Sequence, residues 1–250
     1  MKQIRRILFF VLIILNAVSC KQNKEIKNDS FLLSGTISNA TQPYLILSEV
    51  GKSGFSQNDT ILIDKKGNFS KSIEMKEPTL YSLSLGKEYI IICPQIGEEI
   101  TIKAIDNNFS GSYTIEGSPE SEQLKELNKE NYNVRLSLKS MSEELSKADS
   151  ANFDSIRTSI SKKYISSKQY QEKITSDFIN KNLGSLTTLI ALHRTFDGIP
   201  LFDYRQDLEM HKHVLQALEQ RFPNNQHTLI LKNFIIEKEK TLNNNANPKK

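Results

Sequence analysis

The stretch Gly117-Ser118-Pro119-Glu120 divides this sequence into two parts with different residue patterns. Ser118 can cap a helix, and proline is favoured at the first helical position, which Pro119 would occupy. Glu120 would then lie in the first turn, where a negative charge complements the helix dipole. Glycine is frequent before this stretch and rare after it, where apolar residues follow a helical period. We therefore predict an α+β protein, with a β domain over 31–117 and a helical domain over 118–240.

The first part alternates short runs rich in Ile, Leu, Tyr and Thr with Gly, Asn, Asp and Pro. About eight short strands at this spacing predict an antiparallel β-sandwich or barrel-like domain. The segment Asp59–Phe69 is predicted to be a hairpin, because Gly67 can adopt the positive φ of a bulged turn. The strands are expected near 31–38, 43–49, 59–63, 68–74, 79–85, 88–93, 99–104 and 111–116.

The second part predicts five helices, a bundle whose apolar stripes face a common core. The third is apolar nearly all round, which favours a central position. Residues 241–250 are largely polar and are predicted to form a disordered tail. The helices are expected near 119–147, 150–182, 185–196, 203–221 and 225–240.

The N-terminus has the pattern of an export signal. A basic head precedes the apolar run Ile7–Leu15, which is shorter than a membrane span. Ala17-Val18-Ser19-Cys20 resembles a bacterial lipobox, so we predict a signal peptide over 1–19 and lipidation of Cys20. The alternative is an ordinary signal in which Cys20 is merely the last small residue. Residues 20–30 would form the lipidated cysteine and a flexible tether.

Location follows from the same stretch. Residue 21 is lysine rather than the aspartate that retains lipoproteins in the inner membrane of well-studied bacteria. We therefore expect a lipid-anchored protein of the cell envelope in the outer membrane, facing the periplasm, with exposure at the cell surface left open. The membrane is the first expected partner, through the lipid anchor.

Charge and cysteine content exclude several classes of function. Removing the signal leaves 30 basic residues against 29 acidic ones, which does not suggest nucleic acid as a partner. Only two cysteines are present, so Cys93 would be alone in a lipidated protein and no Cys-x-x-Cys motif exists. Cys93 ends an apolar run, and we interpret it as a small buried side chain.

The polar residues do not form a recognisable catalytic, metal or cofactor site. His211 and His213 would point about 200° apart on a helix and could not share a metal ion, and Glu209 with His213 is interpreted as a surface ion pair. His193 lies in the most apolar predicted helix and is interpreted as a core residue. The loop from Gly51 to Gly54 lacks the length of a phosphate-binding loop.

One modification is suggested by a short pattern. Thr60, Ser150 and Ser155 each follow an aspartate and precede an apolar residue. This pattern resembles the O-glycosylation acceptor of exported Bacteroidota proteins. The alternative is plain turn and cap chemistry, in which Asp before Ser or Thr is common.

Several short segments carry a family resemblance. They are Phe31–Ile37, Asp64 with Gly67-Asn68-Phe69, Gly97–Ile102, Thr114–Ser118, Asp177–Asn182 and Leu218–Asn224. In this order they resemble Bacteroidota lipoproteins in which a DUF4369 domain and helices precede a thioredoxin-like domain. The resemblance implies the accessory, N-terminal part of a thiol–disulfide oxidoreductase, without the redox domain.

Three functions remain open at this point. The favoured one is a non-enzymatic, lipid-anchored binding or interaction module without a cofactor, recognising its ligand on loops or at the domain junction. The second, implied by the resemblance, is a non-catalytic accessory protein with a thioredoxin-like partner. The third is an enzyme that uses carboxylates of the β-domain loops, for which no residue spacing marks a site.

Overall fold

The computed structural model describes residues 29–51 and 54–246. A β-sheet domain is followed by a helical region, which confirms the predicted α+β class. Eight strands form the first part: β1 (Ser30–Ser38), β2 (Tyr44–Gly51), β3 (Gly54–Leu62), β4 (Asn68–Glu74), β5 (Tyr81–Leu85), β6 (Glu88–Ile92), β7 (Glu99–Ile105) and β8 (Thr114–Glu116). A short 3-10 turn and helix α1 (Phe109–Ser112) precede β8, where the sequence predicted the start of a strand.

The strands form two four-stranded sheets. The order is β4-β1-β7-β8 in the first sheet and β3-β2-β5-β6 in the second. Every neighbouring pair is antiparallel except β1 and β7, which run parallel. The prediction of a wholly antiparallel domain is therefore wrong at this pair. A parallel pair needs a long crossover, and here the whole second sheet lies between β1 and β7 in the chain.

The predicted hairpin is also corrected. The turn forms as expected, with Gly67 at φ +85° and its amide donating to the Asp64 carbonyl at 2.9 Å. The flanking strands do not pair, because β3 joins β2 in one sheet and β4 joins β1 in the other. This turn therefore connects the two sheets, and Lys71 binds Asp59 across the connection at 2.7 Å.

The two sheets share one core, so the domain is a sandwich. Side chains alternate between core and surface along β7, where Ile100, Ile102 and Ala104 are buried. Leu47 and Leu83 belong to the same cluster from the second sheet. Gly35 allows the close approach of β1 and β7, since an added Cβ would lie 1.8 Å from the Ile102 carbonyl oxygen. Period-two burial on both sheets is the physical basis of this packing.

Five further helices form the second part. They are α2 (Pro119–Ser146), α3 (Phe153–Lys181), α4 (Thr187–Leu192), α5 (Tyr204–Arg221) and α6 (Gln226–Ala246). Helix α2 begins at the predicted proline, but the Ser118 side chain does not cap it. Helix α6 continues to Ala246, so the predicted polar tail is helical over its first six residues, and residues 247–250 lie outside the described range.

Helix α4 is shorter than predicted. It ends at Leu192, and the chain then forms a small hairpin of β9 (Thr195–Phe196) and β10 (Ile199–Pro200). Asp197 and Gly198 both have positive φ in the intervening turn. The apolar residues of this segment are buried because they fill the space between the longer helices. The apolar character of the segment therefore reflects its burial, as predicted. It does not reflect a long helix.

The two parts meet in a shared apolar cluster. Leu80 and Cys93 of the β domain pack with Leu127, Ile179 and Leu186 of the helical region. Within the described residues, no helix combines the length and hydrophobicity needed to cross a membrane. The junction is the place where side chains from both parts come together.

Candidate functional site

The predicted glycosylation sites lie outside the junction. Cys20 and the whole signal segment fall outside the described residues. Thr60, Ser150 and Ser155 are exposed. The Asp149 carboxylate accepts hydrogen bonds from the Ala151 and Asn152 amides, which is the turn chemistry weighed against modification. Glycosylation of these residues stays a prediction.

The histidines occupy places that the sequence did not predict. His193 is exposed at the end of α4, whereas His211 is buried with its Nδ1 atom 2.9 Å from the Asp207 carbonyl oxygen. Glu209 pairs with Lys212 rather than with His213. Burial lowers the pKa of His211. In the described part of the chain, no group of three or more side chains is placed to hold a metal ion.

A polar network at the junction surrounds the buried carboxylate of Glu120. Ser185 donates to it at 2.5 Å, Arg221 at 2.8 Å and the Cys93 thiol at 3.3 Å. The Cys93 amide donates to the Ser121 hydroxyl at 2.9 Å. This network, which we call the Glu120 cluster, joins the end of β6 to α2, α5 and the turn before α4.

Cys93 is fully buried inside this cluster, as the sequence interpretation expected. Burial and the neighbouring Glu120 carboxylate raise the pKa of its thiol well above the usual value. Because the thiolate is the reactive form of cysteine, these surroundings suppress thiol chemistry.

A second polar region lies on another side of the junction. A cavity of about 560 Å³ opens between β6, Tyr113 and the helical region. Its helical wall consists of residues from α2, Gln171 of α3 and the segment from Ile190 to Asp197. We call this cavity the junction cleft.

Arg194 contributes the buried charge of the cleft. One of its terminal nitrogens donates to the Asn128 side-chain oxygen at 2.6 Å, and the Asn128 amide lies 3.3 Å from the Tyr113 hydroxyl. No carboxylate of the described residues forms a salt bridge with Arg194. Desolvation is the largest influence on its pKa, which is lowered to about 10. The guanidinium is still charged at neutral pH, so the cleft carries a poorly hydrated cation.

Two buried donors of the cleft lack a hydrogen-bond partner. They are Arg194 Nε and Asn131 Nδ2, two of five such buried polar atoms among the described residues. Asn131 uses its side-chain oxygen to accept a hydrogen bond from the Gln171 side chain at 2.8 Å. A buried donor without a partner costs about 1–3 kcal/mol, so such groups are rare in structural positions.

Both carboxylates of the cleft and Arg135 interact with other groups. Glu88 accepts from both the amide and the hydroxyl of Ser110, at 2.7 and 2.8 Å. Asp197 accepts from the Tyr164 hydroxyl at 3.1 Å. The Arg135 guanidinium lies over the Tyr132 ring, 5.7 Å from its centre.

Two other cavities are of similar size but different character. One of about 620 Å³ has four acidic residues in its lining, among them Glu49 and Glu77, and one of about 630 Å³ lies between α3 and α5. The unpartnered buried donors line neither of them. The junction cleft is therefore the best candidate for a binding site.

The sequence prediction missed the residues of this cleft. The one sequence signal for this cleft was the position of Arg194, which places a cation directly after an apolar helix. The apolar pattern had predicted a core residue there. Asn131 lies 40 residues from Gln171 along the chain, and Arg194 lies 66 residues from Asn128. Only folding brings these pairs together.

Comparison with known proteins identifies one part of the chain. Residues 31–124 match the family described as a domain of unknown function, DUF4369. The match covers the sandwich and the start of α2, and thus the β wall of the cleft but not Arg194. No curated protein and no solved structure matches the chain significantly.

Proposed function

We propose that this protein is a lipid-anchored binding module of the cell envelope, and that the junction cleft binds its small ligand. The observation that carries the proposal is that Arg194 and Asn131 both line this cavity, while one donor of each, Arg194 Nε and Asn131 Nδ2, is buried without a partner among the described residues. A ligand acceptor would satisfy them and offset the cost of their burial. Ligand sites commonly combine a cavity with a few oriented polar groups at a domain junction.

Binding is favoured over catalysis by the chemistry of these groups. A guanidinium and an amide can orient a ligand, but neither exchanges a proton near neutral pH. The buried thiol of Cys93 belongs to the Glu120 cluster and is not part of the cleft lining. The two side chains that carry the proposal are therefore suited to recognition of a ligand.

Binding can be tested with a mixed library of neutral, cationic and anionic fragments, observed by ligand-detected NMR. Thr195 is exposed on the edge of the cleft, so Thr195→Trp narrows the cavity without adding bulk to the core. Thr158→Trp, an exposed position on α3, is the matched control. We expect hits with the native chain and the control that disappear with Thr195→Trp. Hits that persist in Thr195→Trp would contradict the proposal.

The lipid anchor is supported by the N-terminal sequence pattern. Metabolic labelling with an alkyne fatty acid in a Gram-negative host should label the native chain and leave Cys20→Ala unlabelled. Fractionation of the same cells should place the native protein in the outer membrane. Labelling that survives Cys20→Ala would contradict lipidation at this residue.

The second candidate is an accessory protein of a thiol–disulfide oxidoreductase. It is favoured by the DUF4369 match, since the resemblance places this domain before thioredoxin-like domains in Bacteroidota lipoproteins. Purification from detergent-solubilised envelope, with Cys20→Ala as the control, should then recover a partner with a Cys-x-x-Cys motif. Recovery of envelope proteins without such a motif would remove the support for this candidate.

A further inference from the structure

We propose that the ligand of the junction cleft is a small organic carboxylate whose anionic group binds between Arg194 and Asn131. This inference rests on the proposed function, because it assigns a chemical class to the ligand of the same cleft. It follows from four features of the cleft: an uncompensated cation, two unpartnered donors, occupied carboxylates and the balance of charge.

The first feature is the Arg194 guanidinium. It is largely buried, and Asn128, the side chain to which it donates among the described residues, is neutral. A buried charge without an opposite charge is unfavourable, and a ligand carboxylate would compensate it. Carboxylates suit arginine particularly well, since two parallel hydrogen bonds can form between the planar groups.

The second feature is the kind of atom left without a partner. Arg194 Nε and Asn131 Nδ2 are both donors, and both are buried. The Asn131 oxygen accepts from Gln171 at 2.8 Å, so its amide nitrogen is the atom left without a partner among the described residues. Both positions therefore call for an acceptor, which excludes an ammonium group from this end of the ligand.

The third feature is that the protein's own carboxylates are held away from Arg194. Glu88 is fixed by the amide and hydroxyl of Ser110, and Asp197 by the Tyr164 hydroxyl. Neither forms a salt bridge with the guanidinium among the described residues. The described residues therefore supply no acceptor for these donors, and we infer that a ligand supplies it.

The fourth feature favours a monoanion. Lys87, Arg135 and Arg194 line the cleft together with the two carboxylates of Glu88 and Asp197, which leaves one positive charge. A carboxylate balances this charge, whereas a phosphate dianion exceeds it. The ring of Tyr132, beneath Arg135, offers an aromatic surface for the rest of the ligand.

The test compares two probes of the same shape, 3-phenylpropanoate and its neutral amide 3-phenylpropanamide, by calorimetric titration of the full chain. For a fragment of this size we expect a Kd of about a millimolar for the carboxylate and at least about tenfold weaker binding of the amide. Arg194→Gln should weaken carboxylate binding at least about tenfold, while Arg157→Gln, an exposed arginine on α3, should leave it unchanged.

A second variant keeps the test decisive if Arg194→Gln fails to fold. Asn128→Asp is isosteric and places a carboxylate where Arg194 already donates at 2.6 Å. The protein would then supply its own anion, so the melting temperature should rise and binding of 3-phenylpropanoate should be lost. A carboxylate affinity that survives Asn128→Asp would overturn the inference.

The other outcomes separate this inference from the proposed function. Equal binding of the amide, or tighter binding of phenyl phosphate, overturns the carboxylate assignment but leaves the cleft as a binding site. The absence of binding of 3-phenylpropanoate up to about 10 mM also overturns the carboxylate assignment. This holds whether or not neutral or cationic fragments bind to the native chain and lose binding in Thr195→Trp. Those fragment hits decide the proposed function independently.

Discussion

The Glu120 cluster and the junction cleft are both polar regions at the junction of the sandwich and the helices, but they differ in how their buried charge is balanced. In the cluster, Glu120 receives hydrogen bonds from Arg221, Ser185 and Cys93. In the cleft, Arg194 has a neutral partner, Asn128, and an unpartnered Nε atom. Among the described residues, the buried charge of the cluster is compensated and that of the cleft is not.

This difference separates a structural role from a binding role. A buried charge that the chain compensates holds its neighbours together, and removing one partner leaves the others unsatisfied. A buried charge that the chain leaves uncompensated lowers stability, and binding of an opposite charge relieves that cost. The two regions should therefore respond to mutation in opposite ways.

The largest effect is expected for Glu120→Ala. It removes the acceptor of three hydrogen bonds and the ion partner of Arg221, and we expect a loss of about 2–4 kcal/mol in unfolding free energy. Urea denaturation followed by circular dichroism measures this loss. Glu126→Ala, an exposed position on the same helix, should change stability by less than about 0.5 kcal/mol. Equal losses of unfolding free energy in Glu120→Ala and Glu126→Ala would contradict a structural role for the Glu120 cluster.

The next effect contrasts the two arginines. Arg221→Gln breaks the ion pair of the half-exposed Arg221 side chain with Glu120 and should cost about 1 kcal/mol. Arg194→Gln removes a cation without a carboxylate partner, so the ligand-free protein should lose less or become more stable. Thermal unfolding of both variants in parallel measures the difference. A greater loss for Arg194→Gln would mean that Arg194 has a structural role.

A smaller, pH-dependent effect is expected at a third contact of the junction. His227 Nε2 lies 2.8 Å from the Thr79 hydroxyl, and Asn225 donates to the Pro78 carbonyl beside it. Burial lowers the pKa of His227, although Glu49 and Glu77 act to raise it. The unfolded chain thus binds more protons below about pH 6.5, so stability should fall as pH decreases through that range.

The measurement is the unfolding free energy of the native chain and of His227→Gln between pH 7.5 and 5. We expect a shallower decrease in the variant. Some slope should remain, because burial also lowers the pKa of His211. Identical slopes of unfolding free energy against pH would show that the pKa of His227 is the same in the folded and unfolded states.

The smallest effect on stability is expected for Cys93→Ser. The hydroxyl can still donate to Glu120, so the change should stay within about 0.5 kcal/mol. In Cys20→Ala, where Cys93 is the remaining cysteine, a thiol reagent should react with the denatured chain and only slowly with the native one. Rapid labelling of the native protein would contradict the suppressed reactivity inferred for the Glu120 cluster.

Local sequence signals predicted much of the secondary structure. The Ser118-Pro119 boundary, both long helices and the burial of Cys93 follow from patterns that act within a few residues. The turn at Gly67 also forms as predicted, because its backbone conformation depends on the residue itself. The helix end at Leu192 was missed, since burial on nearly every side of residues 185–192 hides the period that marks a helix.

The sequence by itself therefore determined the division into sandwich and helices, the N-terminal export pattern and the class of fold. Only the tertiary structure decided that β3 and β4 belong to different sheets, that β1 and β7 run parallel, and that Arg194 lies beside Asn128. The physical reason is how far apart along the chain the interacting residues lie. Capping, turns and periodicity are set by neighbours in the chain, whereas strand partners and buried charges depend on residues far away in sequence. The cleft consists of such distant pairs, so it appears only when the chain is folded.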